Sequence, residues 1–217
     1  MEPRRTDPSA VRGRGRLITL EGPEGAGKTL QAERLAAELE RRGHHVVLTR
    51  EPGGTDLGNA LRELLLSTDT GRITPRADAL LFNAARAQLV AELIGPSLDA
   101  GSVVVCARFA DSTLAYQGYG EGIPLDVLRS IADVATAGVT PARTILLDLD
   151  ATVGLQRKRP DDRTRFETAF DLSFHERVRR GFLELASAEP ERFRVVDASR
   201  EVEAVFADVL AAAVEVL

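Results

Sequence analysis

The sequence has few of the features that mark secreted, membrane or nucleic-acid-binding proteins. Its 217 residues include a single cysteine, Cys106, which excludes an internal disulfide framework and fits a reducing compartment. No eighteen apolar residues run together, and the N-terminal segment lacks an apolar core, so neither a membrane span nor an export signal is predicted. The net charge of -5 argues against a nucleic-acid partner, because such partners normally require a basic domain. We therefore expect a soluble, cytoplasmic protein.

The chain after its first residues alternates between two kinds of segment. Residues 1–15 are rich in Arg, Pro and Gly and are expected to form a mobile tail, and residues 16–217 a single domain. Short apolar, β-branched runs predict buried strands, at residues 17–22, 45–50, 102–107, 143–150 and 193–198. Amphipathic segments between them predict helices, at residues 28–43, 57–67, within 76–98, 125–138, two around 151–188, and one that closes the chain. This alternation predicts a doubly wound α/β fold with a parallel sheet covered on both faces.

The first predicted strand leads into a glycine-rich loop. The stretch GPEGAGKT, residues 22–29, satisfies every fixed position of the phosphate-binding pattern G-x-x-x-x-G-K-[ST]. Its glycines allow backbone N–H groups to approach phosphate oxygens, and the following helix adds the positive end of its dipole. Lys28 is expected to reach the β- and γ-phosphates and the Thr29 hydroxyl to bind Mg²⁺. The fold class is therefore a P-loop NTPase, a three-layer αβα sandwich around a five-stranded parallel sheet.

Binding a nucleoside triphosphate does not by itself determine the reaction. Two motifs that the sequence lacks exclude two classes of nucleotide-binding protein. The sequence contains neither the base-reading N-K-x-D of GTPases nor the L-S-G-G-Q signature of transporter ATPases. A small kinase or a nucleotide-binding regulator remains. The three histidines, His44, His45 and His175, have no metal-ligand spacing and are expected to be solvated.

Four stretches, the first of them the glycine-rich loop, make the sequence resemble the bacterial thymidylate kinases, P-loop enzymes that transfer the γ-phosphate of ATP to dTMP. They are EGPEGAGKT, TREPGGTDLGNALRELLL, LLFNAARAQLV and RFADSTLAYQGYGEG, and FHERVRRGFLELA and VVDAS extend the resemblance to about residue 199. The resemblance implies dTMP and ATP as substrates, Mg²⁺ as cofactor, dTDP and ADP as products, and a homodimer.

The resemblance also assigns residues to the acceptor nucleotide. Phe82 and Arg86, four apart on one helix face, suit stacking on a base and hydrogen bonding to its edge. Arg108 matches the family arginine that clamps the acceptor phosphate, Glu24 the carboxylate that receives the sugar 3′-hydroxyl, and Tyr116 the ring that disfavours a 2′-hydroxyl. The implied dTMP site consists of Glu24, Pro52, Arg62, Phe82, Arg86, Arg108, Thr113, Tyr116 and Gln117.

The basic segment 157–170, called the lid segment below, matches a part of the family that closes over ATP. The P-loop carries Ala26 where another class of the family has an arginine, so the resemblance assigns phosphate-binding arginines to the lid segment. The implied ATP site is Gly22, Pro23, Glu24, Gly25, Ala26, Gly27, Lys28, Thr29, Arg157 and Arg163. Lys28, Arg108 and Arg165 are the expected catalytic residues, and Thr29 and Glu167 the expected metal ligands.

One position departs from this pattern. The family has Asp where Ala107 stands, and that Asp anchors the metal through water or orients the neighbouring Arg. Losing such a partner costs about 10- to 100-fold in metal affinity or activity. Glu21, at the end of the first strand, and Glu167 are candidates to compensate. The alternatives to an active thymidylate kinase are a nucleotide-binding module with impaired catalysis and a kinase for another nucleoside monophosphate.

Overall fold

Five parallel strands form one sheet in a computed structural model that describes residues 15–159 and 164–217. In chain order the strands are β1 (Arg16–Glu21), β2 (Val46–Arg50), β3 (Val103–Ala107), β4 (Arg143–Asp148) and β5 (Phe193–Asp197). Their spatial order is β2-β3-β1-β4-β5. The predicted α/β fold is therefore confirmed, with each strand within two residues of its predicted bounds. The expected mobile tail, apart from Gly15, and the middle of the lid segment lie outside the described residues.

The helices connect the strands and cover both faces of the sheet. They are α1 (Lys28–Arg41), α2 (Asp56–Leu66), α3 (Pro75–Leu89), α4 (Gly95–Asp99), α5 (Ala110–Thr113), α6 (Leu125–Thr136), α7 (Ala151–Arg157), α8 (Arg165–Ala169), α9 (Leu172–Ala188) and α10 (Val202–Val214). Two π-helical segments, Val90–Ile94 and Leu114–Gly120, extend α3 and α5. The polar stretch after β3, for which the sequence predicts no helix, is thus helical from residue 110 to residue 120.

Alternating side chains of β1 show how the core is divided. Ile18 and Leu20 are fully buried on one face, against α1 and α10. Leu17 belongs to a second buried cluster with residues of α3, on the other face. The hydroxyl groups of Thr19 in β1 and Thr144 in β4 hydrogen-bond to each other at 2.9 Å, so these two buried polar atoms are paired.

The strand order places the site. β1 lies between β3 and β4. β2 and β3 lie on one side of β1 and β4 and β5 on the other, so the strand order reverses at β1. Ligands of open α/β sheets bind beyond the carboxyl ends of the strands at such a reversal. The ends of β1 and β3, Glu21 and Ala107, and the loops that follow them therefore form the edge where a nucleotide is expected.

Candidate active site

The loop between β1 and α1 has the backbone that a phosphate cradle requires. Gly22, Gly25 and Gly27 have φ values of 141°, 71° and 87°, in a region that other residues rarely adopt. A Cβ atom at Gly25 would lie 2.1 Å from the carbonyl oxygen of Gly154, and one at Gly22 2.3 Å from that of Leu147. The glycines are thus needed both for the turn and for close approach to α7 and β4.

Lys28 lies at the start of α1 with its ammonium folded back over this loop. The Nζ atom donates to the carbonyl oxygens of Gly22 at 3.0 Å and Pro23 at 2.7 Å. Burial and the positive charge of Arg108 lower the pKa of Lys28 to about 7. A phosphate group in the loop would supply the missing negative charge, because each ionised phosphate oxygen favours the charged ammonium.

Thr29 lines a neighbouring cavity of about 360 Å³ together with Glu33 and Ala107. Among the described residues, no group of three or more His, Cys, Asp or Glu side chains is placed to hold a metal ion. Mg²⁺ is typically held by one or two protein oxygens, water and substrate phosphates, so this arrangement fits an ion that arrives with the nucleotide. The methyl side chain of Ala107 contributes no ligand.

Arg108 connects the end of β3 to the phosphate loop. Its guanidinium donates to Glu24 Oε1 at 2.6 Å and to the Tyr116 hydroxyl at 3.2 Å, and that hydroxyl donates to the same Glu24 oxygen at 2.9 Å. Burial alone would raise the pKa of Glu24, but the charges of Arg108, Lys28 and Lys158 hold it well below its usual value. Glu24 is therefore a carboxylate at neutral pH.

A cavity opens beside this cluster and collects most of the acceptor residues that the sequence predicts. Its walls include Glu24, Pro52, Arg62, Phe82, Arg108, Thr113, Tyr116 and Gln117. Aromatic contacts join Phe82 and Tyr116 through Phe166, whose ring centroid lies 6.1 Å from the first and 5.4 Å from the second. Arg62 donates to the Pro52 carbonyl at 2.9 Å and Gln117 to Asp78 at 2.9 Å.

Arg86, the remaining predicted acceptor residue, lies behind this wall and is fully buried. It donates to Glu51 at 2.9 Å and to Asn83 at 2.8 Å. It also donates to the carbonyl of Phe109 at 3.0 Å and to the Thr113 hydroxyl at 3.1 Å. The Thr113 oxygen accepts from Arg86, so its own hydrogen is left to donate into the cavity.

The lid segment differs most from expectation. Arg157 donates to the carbonyl of Ala198 at 3.1 Å. Arg165 is buried and pairs with Asp78, with a second bond to the Leu65 carbonyl at 2.9 Å, so it does not face the phosphate loop as a catalytic arginine would. Glu167 accepts from the Thr164 backbone at 2.6 Å and lies 3.0 Å from Lys158, and its assignment as a metal ligand stays a prediction. Arg163 lies outside the described residues.

Sequence reasoning missed other members of the site. Glu51, Ser112 and Lys158 line the acceptor cavity. Glu51 lies in TREPGGTDLGNALRELLL, one of the stretches that carry the family resemblance. That stretch was the signal that could have identified Glu51 as a site residue. The expectation that all three histidines are solvated holds for His44 and His45 but is wrong for His175. That ring is buried by its apolar surroundings, with Nε2 3.1 Å from the carbonyl oxygen of Phe166.

Comparisons with known proteins all lead to one family. A family model described as thymidylate kinase matches residues 20–209. The thymidylate kinase of Deinococcus radiodurans is 53% identical over 202 residues, covering 93% of this chain and 97% of that protein. That of Bifidobacterium longum is 51% identical, over 89% of this chain and 94% of its own. The crystal structure of thymidylate kinase from Ehrlichia chaffeensis superposes with a TM-score of 0.75 at 34% identity, over 91% of this chain and 97% of that one.

Proposed function

The chain belongs to the thymidylate kinase family, and from that premise we propose that it transfers the γ-phosphoryl group of ATP to dTMP, giving ADP and dTDP. One observation carries the proposal most directly. Glu24, in the phosphate loop, and Arg108, at the end of β3, are joined at 2.6 Å beside a cavity walled by aromatic rings. The donor and acceptor sites thus share a boundary, as a transfer between two bound nucleotides requires.

The acceptor cavity suits a thymine nucleotide. Phe82 offers a ring on which the base stacks, and Thr113, oriented by Arg86, donates to a carbonyl on the base edge. Arg108 binds the acceptor phosphate, and Glu24 receives the sugar 3′-hydroxyl. The hydroxyl of Tyr116 is engaged by Glu24 and Arg108, and its ring closes the sugar end of the cavity.

The phosphate loop holds ATP, with Lys28 at the β- and γ-phosphates and Thr29 as the protein ligand of Mg²⁺. The ion supplies positive charge to the phosphate oxygens when it is bound. The chain's own residues supply the rest: the loop N–H groups fix the phosphates, and Lys28 and Arg108 stabilise the charge that builds up during transfer. Phosphoryl transfer needs no protein nucleophile, so the absence of a carboxylate at position 107 is compatible with activity.

A cytoplasmic homodimer is the proposed form of the protein. None of the helices that the structure describes is long and apolar enough to cross a membrane. The three neighbouring helices α2, α3 and α6 expose apolar side chains, among them Leu80 at 56% and Val134 at 83%. Light scattering of the pure protein, with Val134→Asp and Leu80→Glu beside it, tests whether these helices hold two copies together.

The activity is tested by ADP release with ATP, Mg²⁺ and each of dTMP, dUMP, CMP and AMP. Fast release with dTMP alone supports the proposal. Equal release with another monophosphate would identify a different acceptor. Calorimetric binding of both dTMP and ATP without product would identify a module with impaired catalysis. Phe82→Ala is expected to raise the KM for dTMP, and an unchanged KM would contradict base stacking on that ring.

A further inference from the structure

The cavity of about 360 Å³ beside the phosphate loop has a carboxylate on its wall. Thr29, Ala32 and Glu33 line this cavity from α1. Residues at i and i+4 of a helix lie on one face, about 6 Å apart along the axis. Helical side chains lean toward the N-terminus of their helix, so Glu33 extends along this face toward Thr29. The hydroxyl expected to bind Mg²⁺ and the carboxylate of Glu33 therefore border one space.

Glu33 is free to bind a ligand. Within the part of the chain that the structure describes, no side chain or backbone group forms a hydrogen bond or an ion pair with it. Arg50, the basic residue that lines the same cavity, is included in this statement. Glu33 is exposed, so water reaches its carboxylate. It can therefore accept hydrogen bonds from a ligand without giving up an existing contact.

The other carboxylates at this edge of the sheet are engaged or lie elsewhere. Both oxygens of Glu21 accept hydrogen bonds from the turn after β3. Glu24 and Glu51 line the acceptor cavity. None of these three lines the cavity that Thr29 borders. Of the acidic side chains in the described ranges, Glu33 alone does so.

A second polar group on the wall also lacks a partner. Thr49 of β2 is 8% exposed, and its hydroxyl has no hydrogen-bond partner among the residues that the structure describes. Buried hydroxyl groups are normally satisfied by protein or by ordered water. Water held in this cavity would supply the missing partner. The wall thus combines one buried and one exposed group that can hydrogen-bond to water.

We propose that Glu33 is a positioning residue for Mg²⁺, and that its carboxylate accepts hydrogen bonds from the water molecules of the ion that arrives with ATP. This inference rests on the proposed function, because it takes Thr29 as the protein ligand of the ion. Mg²⁺ keeps several of its water molecules in protein sites, and a carboxylate accepts charge-assisted hydrogen bonds from them. Ala107, which lines the same cavity at the end of β3, offers no such acceptor.

The metal dependence of nucleotide affinity tests this role without turnover. The dissociation constant of a non-hydrolysable ATP analogue is measured by calorimetry in Mg²⁺ and in EDTA, and the ratio of the two values is the gain in affinity that Mg²⁺ provides. We expect Glu33→Gln to reduce this gain by about tenfold, as is typical when a group that hydrogen-bonds to metal ligands is lost. The affinity in EDTA should not fall, because the carboxylate repels the phosphates when no ion lies between them.

Glu40→Gln is the matched control. Glu40 is an exposed residue of α1, seven positions after Glu33. It lies on the same face of the helix but about 10 Å farther from the phosphate loop. The substitution changes the charge of α1 by the same amount, and we expect the gain from Mg²⁺ to stay at the wild-type value. An equal decrease in both variants would assign the effect to the overall charge of the helix and overturn the inference.

The outcome does not depend on how stable the variant is. Only folded protein binds the analogue in either solution, so the ratio of the two dissociation constants is unaffected by partial unfolding. An unchanged gain in Glu33→Gln would therefore overturn the inference. A wild type that does not bind the analogue at all would instead contradict the proposed function itself.

Kinetics provide a second readout. In Glu33→Gln the Mg²⁺ concentration for half-maximal activity should rise by about tenfold, with kcat at saturating Mg²⁺ within about threefold of the wild-type value. Added metal restores the rate in this case because the variant binds the ion more weakly but still uses it. A loss of kcat that added Mg²⁺ does not restore would contradict a role in positioning the ion.

Discussion

The carboxylate of Glu21 accepts a hydrogen bond of 2.6 Å from the backbone N–H of Phe109, the residue that follows Arg108. Its second oxygen accepts from the Ser112 hydroxyl, also at 2.6 Å. Arg108 itself has a φ of 73°, a left-handed conformation that costs of order 1 kcal/mol or more outside glycine. Glu21 thus fixes the strained turn that points Arg108 at Glu24, which gives it a positioning role; the compensating metal role considered from the sequence stays a prediction.

The buried position of Glu21 predicts a pH dependence of stability. Burial, with a further contribution from Asp111, raises the pKa of Glu21 from 4.5 to about 7. The folded protein therefore binds more protons than the unfolded chain between these values, and the stability contributed by this group is lost as pH rises through 7. We expect the free energy of unfolding, from urea titrations, to fall by up to about 3 kcal/mol between pH 5 and pH 8 on account of this group.

Glu21→Gln is the matched variant, since it keeps the shape and cannot ionise. Its stability is expected to vary less over the same pH range. A parallel decline in both proteins would assign the pH dependence to other groups. Glu21→Ala, which leaves the Phe109 N–H without its acceptor, is expected to lower kcat through the displaced Arg108.

Restoring a carboxylate at the end of β3 is expected to strengthen metal use. Ala107 is 6% exposed and lines the cavity of about 360 Å³ that Thr29 also borders, so an Asp side chain has room there. In Ala107→Asp, the Mg²⁺ concentration for half-maximal activity should fall by about tenfold. Ala107→Asn, equal in size and uncharged, should not show the effect. No change in Ala107→Asp, or the same change in both variants, would show that charge at this position does not assist the metal.

The architecture and the phosphate loop could be predicted from the sequence because they depend on local patterns of residues. Apolar runs mark the strands, and the glycines of residues 22–29 are required by backbone geometry that the structure shows directly. The helix at 110–120 was not predicted, because its polar residues are held by hydrogen bonds and ion pairs to buried residues far away in the sequence. Asp111, for example, pairs with Arg192 at 2.7 Å, and Gln117 with Asp78.

Long-range ion pairs also explain why the contacts of the lid segment could not be predicted from its sequence. A run of basic residues indicates which charges are available but not which acidic group each one meets. Arg165 meets Asp78, 87 residues earlier, whereas Lys158 meets Glu24 and Glu167. His175 is buried for the same kind of reason, since the aromatic cluster around it comes from several elements.

The buried pair of Arg86 and Glu51 predicts a large loss of stability when one partner is removed. Both side chains are at most 4% exposed, and their closest atoms are 2.7 Å apart. Breaking a pair of this kind costs about 3 to 5 kcal/mol, because the remaining charge is left buried. We expect that loss in Glu51→Ala from urea unfolding, and a higher KM for dTMP because Arg86 no longer fixes Thr113. Glu38→Ala removes the surface pairs with Arg41 and Arg42 on α1 and should leave the unfolding midpoint almost unchanged. Similar midpoints for the two variants would contradict the assigned role of the buried pair.

The lowered pKa of Lys28 predicts proton uptake when ATP binds. With a pKa of about 7, Lys28 is largely uncharged at pH 8 in the free protein. The β- and γ-phosphates favour the ammonium and raise this pKa, so the complex gains up to about one proton at pH 8. Calorimetric binding enthalpies measured in Tris and in Hepes should therefore differ in proportion to the ionisation enthalpies of the two buffers.

At pH 6 Lys28 is already charged and the difference should disappear. Lys158→Arg, in which Lys28 is the only lysine left, should retain the uptake at pH 8. Identical enthalpies in both buffers at pH 8 would show that Lys28 is already an ammonium before the nucleotide arrives.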